Sequence, residues 1–364
     1  MTVSKGWYVV GVVGVFGCAA ACAAGCGGDT TSVAATEGEG GSGATSSTTG
    51  HPAGTGGHNP QGGTGGHNPA GTGGSTPTGP IASATAINSA FAFDATLTDD
   101  GAIVFYTGLT ATGGAVFSMP VGGGTVSTVA ESANVVAPFG IALSVDQHTV
   151  YVADPGFAED ATNDSGTIWS VSAEGGNFTE VMGGANLVAR SLDVVADGAN
   201  DAIYFSGSKN GTPGVFKLES GAVTTISQSN QFHDPGGVAV ASDGTVYVID
   251  TTAGSYRDAT VFSISGTTVA IVKDHLWVGY PAGLALSQDE KTLIASGTRD
   301  VGQHAVAIQI DITSSELTYF PADTATSSPF LALFESGGLH RARNKENFAW
   351  VVADTTGGGI FLLK

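Results

Sequence analysis

Short apolar runs alternate with turn signals along most of the chain, and the pattern recurs at a nearly fixed spacing. The clearest copy, Pro235 to Asp250, holds an apolar run, an Asp-Gly turn and a second run rich in β-branched and aromatic residues. Aligning the chain on Gly237 gives six copies, with anchor positions 46 to 55 residues apart: Asp94, Gly140, Ser191, Gly237, Gly283 and Gly338. Self-similarity at this period predicts a radial or stacked repeat fold.

Each copy carries signals for four strands. The first run is made of small apolar residues, as in Val238-Ala239-Val240, which suits a strand crowded around a central axis. The second, such as Val246-Tyr247-Val248, should fill the wedge between neighbouring sheets, and a third run alternates before a polar fourth. We therefore predict an all-β fold, a six-bladed β-propeller of four-stranded antiparallel sheets.

The sixth copy is too short to complete its own sheet. Its third run, Ile360 to Leu363, reaches the end of the chain, whereas Ile81 to Ala90 precedes the first copy and has no sheet of its own. We expect the leading segment to supply the missing outer strand, because pairing of the N- and C-terminal strands leaves no open sheet edge. The predicted propeller domain is 81–364.

Residues 1–26 have the three-part form of a signal peptide: Lys5, an apolar run from Trp7 to Phe16, and small residues. The sequence Ala23-Ala24-Gly25-Cys26 resembles the bacterial lipobox, which implies a lipoprotein with Cys26 as the lipidated residue. Cys18 is the alternative position, and simple cleavage with secretion is the alternative fate. The expected location is the cell envelope, outside the cytoplasm, at the outer membrane or cell surface, with membrane contact through the lipid anchor only.

Residues 27–80 are rich in Gly, Ser, Thr and Pro and cannot bury a core, so we predict a disordered linker. A flexible chain of this length spans roughly 40 Å and would act as a stalk. No cysteine follows Cys26, which excludes thiol chemistry from the propeller. The net charge of −20 argues against binding to nucleic acid or to anionic lipid.

In a propeller, the loops that lead into each sheet and the loops after the second strands open on one face, here called the loop face. The leading loops offer Arg190, His233, Asp234, Trp277 and Tyr280. The loops after second strands offer Asp154, Glu159, Asp160, Asp250, Arg257, Asp258, Arg299, Asp300, His304 and Asp354. The ligand-binding candidates are Arg190, His233, Asp234, Tyr280, Arg299 and Asp300.

Two groups of these residues have a possible catalytic or metal-binding chemistry. Asp154, Asp250 and Asp354 end their second strands and could hold calcium or another divalent cation; alternatively, each caps its own loop by accepting backbone N–H bonds. His233 and Asp234 could form a general-base pair, or they could form a turn that positions the next strand. The propeller region has no serine-hydrolase elbow, zinc-protease helix or phosphate-binding loop.

The copy Pro235-Gly236-Gly237-Val238-Ala239-Val240, with Gly244-Thr245-Val246-Tyr247-Val248, resembles NHL-type repeats and gluconolactonase-like six-bladed propellers. The resemblance covers most of residues 90 to 364. It implies a divalent metal at the channel mouth, held by a glutamate, an asparagine and an aspartate. Asp234 falls near the aspartate position, but Ser89 and Ala90 stand near that of the glutamate, and Ala189 and Arg190 near that of the asparagine.

The sequence thus favours a lipid-anchored binding module that recognises a small molecule, glycan or protein of the envelope through its loop face. The alternative is a metal-dependent lactonase or esterase-like hydrolase of the gluconolactonase type. A buried, hydrogen-bonded acid and base at the channel mouth would favour catalysis. Arg341, Arg343 and Lys345 form the basic cluster of the propeller region, either a solvated patch near acids or a contact for an acidic partner.

Overall fold

The structure, a computed structural model, describes residues 80–156, 165–254, 258–280, 282–299, 305–321, 336–343 and 348–364. The predicted signal peptide, Cys26 and nearly all of the predicted linker lie outside these residues, as do Glu159, Asp160, Arg257, Asp300, His304 and Lys345. The described part contains 23 strands and no helix. It accordingly holds no helix long and apolar enough to cross a membrane.

The strands, in chain order, are β1 Ala84–Asn88, β2 Ala95–Leu97, β3 Ile103–Leu109, β4 Gly114–Pro120, β5 Ser127–Ser132, β6 Gly140–Leu143, β7 Thr149–Asp154, β8 Gly166–Ser172, β9 Thr179–Asp197, β10 Asn200–Lys209, β11 Thr212–Glu219 and β12 Ala222–Ser227. They continue with β13 Pro235–Val240, β14 Val246–Asp250, β15 Ala259–Ser265, β16 Thr268–Val278, β17 Leu284–Leu286, β18 Thr292–Thr298, β19 Ala305–Asp311, β20 Leu317–Phe320, β21 Ser336–Arg341, β22 Trp350–Asp354 and β23 Gly359–Leu363.

Strand pairing divides the described chain into six antiparallel blades. The first is β2 to β5, the second is β6 to β8 with the start of β9, and the third is the end of β9 with β10 to β12. The fourth is β13 to β16, the fifth is β17 to β20, and the sixth is β21 to β23 with β1. The predicted all-β propeller of four-stranded sheets is confirmed.

The seam joins the two ends of the domain in one sheet. Strand β1 pairs antiparallel with β23, so that Ala84 lies opposite Leu363 and Ala86 opposite Phe361. The backbone N–H of Ala82 extends the pairing by donating to the carbonyl of Lys364 at 2.6 Å. The expectation that the leading segment completes the last blade is therefore correct.

Large side chains of the second strands fill the wedges between blades. Trp350 and Ile294 are buried in one cluster between the fifth and sixth blades, and Phe105 lies buried with Val152 between the first and second. Burying each such side chain stabilises the fold by about 1.5–3 kcal/mol. Apolar area between the blades, rather than any cross-link, holds the described part together.

The inner ends of the blades meet in a closed ring formed by the six anchor positions, here called the anchor ring. At the seam, the Asp94 carboxylate lies against Gly338 of the sixth blade. The same carboxylate accepts the backbone N–H of Ile141, beside the anchor of the second blade, at 3.0 Å. Farther round, the Ser191 hydroxyl accepts the N–H of Val238 at 3.4 Å.

Glycine at the anchors allows this close approach. A Cβ added at Gly237 would lie 2.8 Å from the backbone carbon of Gly283, and one at Gly283 would lie 2.7 Å from that of Gly338. A Cβ added at Gly140 would lie 3.0 Å from the Cα of Ser191. Contacts below 3.0 Å are essentially never tolerated, so a side chain at these glycines would push neighbouring blades apart.

The structure differs from the sequence expectation at two of the leading loops. Strand β9 runs without interruption from the outer edge of the second blade to the inner edge of the third, so Arg190 lies in a strand. Asn186 has a φ of 59° and bends the strand without ending its pairing. Strand β16 likewise bends at His275, with a φ of 58°, and its residue Trp277 pairs with Thr298 of the next blade.

The anchor ring predicts a cost for a single added methyl group. Gly283→Ala should lower the free energy of unfolding by about 1–3 kcal/mol, because the new Cβ meets backbone of the sixth blade. Gly122→Ala is the matched control, since an added Cβ there has no atom within 4 Å. Urea unfolding of both variants measures the difference, and a Gly283→Ala variant as stable as Gly122→Ala would contradict the ring.

Candidate functional site

The positions just before the anchors form a second layer of the channel, on the side of the loop face. Three of the six carry large side chains and three carry none or a methyl group: Phe93, Phe139, Arg190, Gly236, Ala282 and Gly337. The large side chains come from the first three blades, and those of Asp234 and Tyr280 reach them from the fourth and fifth. We call Phe93, Phe139, Arg190, Asp234 and Tyr280 the mouth cluster.

Arg190 joins three blades in the mouth cluster. Its Nη1 is 2.6 Å from the Oδ1 of Asp234, and the same nitrogen hydrogen-bonds the Tyr280 hydroxyl. The guanidinium carbon also lies 5.4 Å from the centre of the Tyr280 ring. The Arg190 and Asp234 side chains are 12% and 18% exposed, so the ion pair is largely, but not wholly, removed from water.

The other half of the mouth cluster is aromatic. Phe93 and Phe139 have ring centroids 5.4 Å apart, and Phe139 meets Tyr280 edge-on at 6.0 Å. All three rings are partly exposed. A half-exposed apolar surface thus lies directly beside a charged pair, an arrangement that can contact both the apolar and the polar parts of a ligand.

The position of Asp234 is set by the second strand of its own blade. Asp250, which is buried, accepts the backbone N–H groups of His233 and Asp234 at 2.7 and 2.9 Å. Burial raises the pKa of Asp250, although these N–H bonds oppose the shift. The Thr251 hydroxyl donates to the Asp234 Oδ2 at 3.1 Å, which leaves Oδ1 for Arg190.

The three aspartates predicted as cation ligands each accept backbone N–H groups from loops of their own blade, and each caps the loop that follows it, at Gly156, Thr252 and Thr356. Asp154 accepts the N–H groups of Val136 and Ala137, and Asp354 accepts those of Thr356 and Gly357. These bonds, like those of Asp250, match the loop-capping interpretation. No three His, Cys, Asp or Glu side chains of the described residues lie together as a metal-holding group.

The residues present do not fit the metal site that the gluconolactonase resemblance implies. Arg190 stands near the position of the asparagine, and its guanidinium is ion-paired with Asp234, the residue near the aspartate position. A cation at Asp234 would have to compete with this guanidinium at close range. We therefore derive no chemical step through a metal.

His233 and Asp234 do not act on one point. The exposed ring of His233 has its Nδ1 3.2 Å from the Thr252 carbonyl, whereas the Asp234 carboxylate faces Arg190 and Thr251. The general-base pair, one of the two alternatives that the sequence left open, is not assembled in this geometry. The pair instead lies in the segment that leads into β13, as the turn interpretation describes.

The contacts of the remaining described candidates are with residues outside the mouth cluster. Arg299 donates to the Pro321 carbonyl at 2.7 Å and lies 4.4 Å from the centre of the Tyr319 ring. Asp258 is buried and hydrogen-bonds His275 at 2.5 Å, and that bond raises the pKa of His275. Trp277 is exposed on β16. Asp300 lies outside the described residues.

Sequence reasoning missed a polar layer on the other side of the anchor ring, two residues after each anchor. It consists of Thr96, Ala142, Asp193, Ala239, Ala285 and His340. Here His340 Nε2 lies 2.9 Å from the Oδ2 of buried Asp94, and Arg343 pairs with Asp193 at 2.8 Å. Comparing this position across the repeats would have found it, because three copies have alanine and three have a polar residue.

The Asp94 and His340 pair is the buried, hydrogen-bonded acid and base of the described chain that lies nearest to the channel. Burial works to lower the pKa of His340, but the charge of Asp94 and its hydrogen bond, with the charge of Asp193, raise it overall. The raised pKa favours the protonated form of the imidazole. Arg341 forms an ion pair with Glu290, and Arg343 forms one with Asp193, as the sequence predicts. Both arginines are half-buried at the channel and do not form an open surface patch.

The comparisons with known proteins give the fold and no family. No protein-family model matches the chain, and no curated protein matches its sequence. Among solved structures, it is similar to the PQQ-bound aldose sugar dehydrogenase of Streptomyces coelicolor, with 12% identity and a TM-score of 0.51, over 79% of this chain and 99% of that one. It is also similar to a gluconolactonase of Xanthomonas campestris, with 16% identity and a TM-score of 0.50, over 77% and 88% of the two chains. These likenesses establish a β-propeller, a fold that hosts many functions.

Proposed function

We propose that this protein is a lipid-anchored binding module outside the cytoplasm, whose propeller recognises a small molecule, a glycan or a protein through its loop face. The observation that carries the proposal is the mouth cluster, in which side chains from five blades meet around Arg190. Arginine and aromatic residues dominate the energetic centres of recognition surfaces. A rigid ring of blades holds them with little freedom to lose on binding.

Binding is favoured over catalysis by what the polar groups of the cluster already do. The Asp234 carboxylate is ion-paired with Arg190 through Oδ1 and accepts a hydrogen bond from Thr251 at Oδ2, so both of its oxygens are already engaged. The His233 ring is directed to the Thr252 carbonyl instead of to an acid. Among the described residues of the loop face, these contacts support recognition and supply no activated nucleophile.

The proposed location rests on the sequence alone. A signal peptide that ends at a lipidated Cys26 would place the chain on a membrane outside the cytoplasm, and the linker of residues 27–80 would hold the propeller clear of it. A ligand of the envelope or of its surroundings would then reach the loop face. The acidic surface favours neutral or basic ligands over nucleic acid.

The mouth cluster predicts which substitution abolishes binding. The full chain should be screened against a glycan array and a library of uncharged and cationic metabolites. Arg190→Ala should weaken every ligand found by about tenfold or more, equivalent to about 1.4 kcal/mol, because the side chain orders three blades at the mouth. Lys217→Ala, which removes the two ion pairs of Lys217 with Asp197 and Glu219, is the control and should bind as the wild type does. Unchanged binding by Arg190→Ala, or no ligand at all, would count against the loop face.

A calcium titration separates the binding module from the metal-dependent hydrolase. A cation that binds only the folded protein stabilises it by mass action and so raises its melting temperature. At a cation concentration of 100 times the Kd, the free energy of unfolding rises by about 2.7 kcal/mol. Because the candidate aspartates bind their own loops, we expect equal melting temperatures in millimolar calcium and in chelator. A rise in calcium that Asp234→Asn removes would instead support the hydrolase.

A further inference from the structure

The channel contains a cavity on the side away from the loop face. It is lined by the polar layer that follows the anchor ring and by the turns between first and second strands, including Asp99, Gln147 and Arg343. Its interior space is small, about 30 Å³, and it opens to solvent. The anchor ring lies between this turn-end cavity and the mouth cluster, so the two are separate sites.

The residues that line this cavity include polar groups whose bonding capacity the fold uses only in part. Alanine occupies this layer in the second, fourth and fifth blades, which shows that a methyl group is sufficient for the packing of an inner strand. The other three blades have Thr96, Asp193 and His340 instead. Thr96 is 5% exposed and His340 is 8% exposed, and polar groups buried to this degree lower stability unless something bonds them.

Two of these buried groups lack partners in the described chain. His340 uses Nε2 for Asp94, and its Nδ1 has no hydrogen-bond partner among the described residues; nor has the Thr96 hydroxyl. Neither atom is fully buried, and both residues line the cavity, so both atoms are accessible from it. The deep part of the cavity therefore presents a donor and a hydroxyl with unused capacity.

Charge limits what could fill this space. The Asp94 carboxylate holds Nε2 of His340, and Arg341 and Arg343 are ion-paired with Glu290 and Asp193. At the turn of the first blade, the Asp99 side chain has no polar partner among the described residues; only its backbone N–H is bonded, to Gln147. An unpaired carboxylate, that of Asp99, and an unpaired ring nitrogen, Nδ1 of His340, line the same space, which favours a ligand that carries both an ammonium and a carboxylate group.

We propose that the turn-end cavity binds a small zwitterion, an α-amino acid, with its carboxylate toward His340 Nδ1 and the Thr96 hydroxyl and its ammonium toward Asp99. A simple anion would leave the Asp99 carboxylate unpaired in the same space, and a simple cation would leave His340 Nδ1 and the Thr96 hydroxyl without a partner. This site is independent of the loop face, so each proposal can fail without the other.

Calorimetric titration of the full chain tests the site. The probes are glycine, L-serine and L-glutamine, with acetate, methylamine and glycerol as the single-charge and uncharged comparisons. At least one amino acid should bind at least about tenfold more tightly than all three comparisons. Tighter or equal binding of acetate, methylamine or glycerol would overturn the proposal, as would no amino acid binding at concentrations up to about 10 mM.

Variants place the ligand in the cavity. Asp99→Asn and His340→Gln should each weaken the amino acid by about tenfold or more, whereas Asp243→Asn, in the corresponding turn of the fourth blade and away from the cavity, should bind as the wild type does. Thr96→Ala is the second variant, for the case in which His340→Gln does not fold. It should fold, because three blades already have alanine at this position. If Asp99→Asn and Thr96→Ala both bind as tightly as the wild type, the amino acid binds elsewhere and the proposal is wrong.

Discussion

The carboxylate of Asp94 is bonded to three blades at once, and the rest of the structure depends on that junction. It caps its own strand at Ala95, accepts the N–H of Ile141 in the second blade, and holds His340 of the sixth. Because Asp94 is 1% exposed, these bonds compensate the cost of burying its charge. The first blade is thereby locked to both neighbours at the point where the ring closes.

Closure of the ring also determines where ligands can go. Glycine anchors bring the inner strands so close that the channel is narrowest at the anchor ring, and each side of it carries its own layer of side chains. On the loop face this layer is aromatic and charged, with Arg190 at its centre. On the other side it is polar in three blades, with His340 at its centre. One backbone constraint therefore yields two chemically different sites.

Much of the architecture could be predicted because it repeats. The chain repeats one pattern six times: small residues, a turn, and then β-branched residues. This repeat is enough to place the inner strands, the residues that fill the wedges between blades, and the seam between β1 and β23. The sites could not be predicted in the same way, because they lie where the copies differ. Asp154 and Asp250 recur with the blade and cap loops, whereas Thr96 and His340 depart from the repeated alanine and face the cavity. The continuous course of β9 also escaped prediction, since it depends on backbone bends at single residues such as Asn186.

The most direct test of this account is the free energy of unfolding of Asp94→Asn, measured in urea beside the exposed control Asp197→Asn. Asparagine keeps the shape of the side chain, but its NH₂ group would face a donor that now bonds a carboxylate oxygen, either the N–H of Ile141 or Nε2 of His340. The account predicts a loss of about 3 kcal/mol for Asp94→Asn and less than about 0.5 kcal/mol for the control. An Asp94→Asn protein as stable as the control would show that the ring does not depend on this junction.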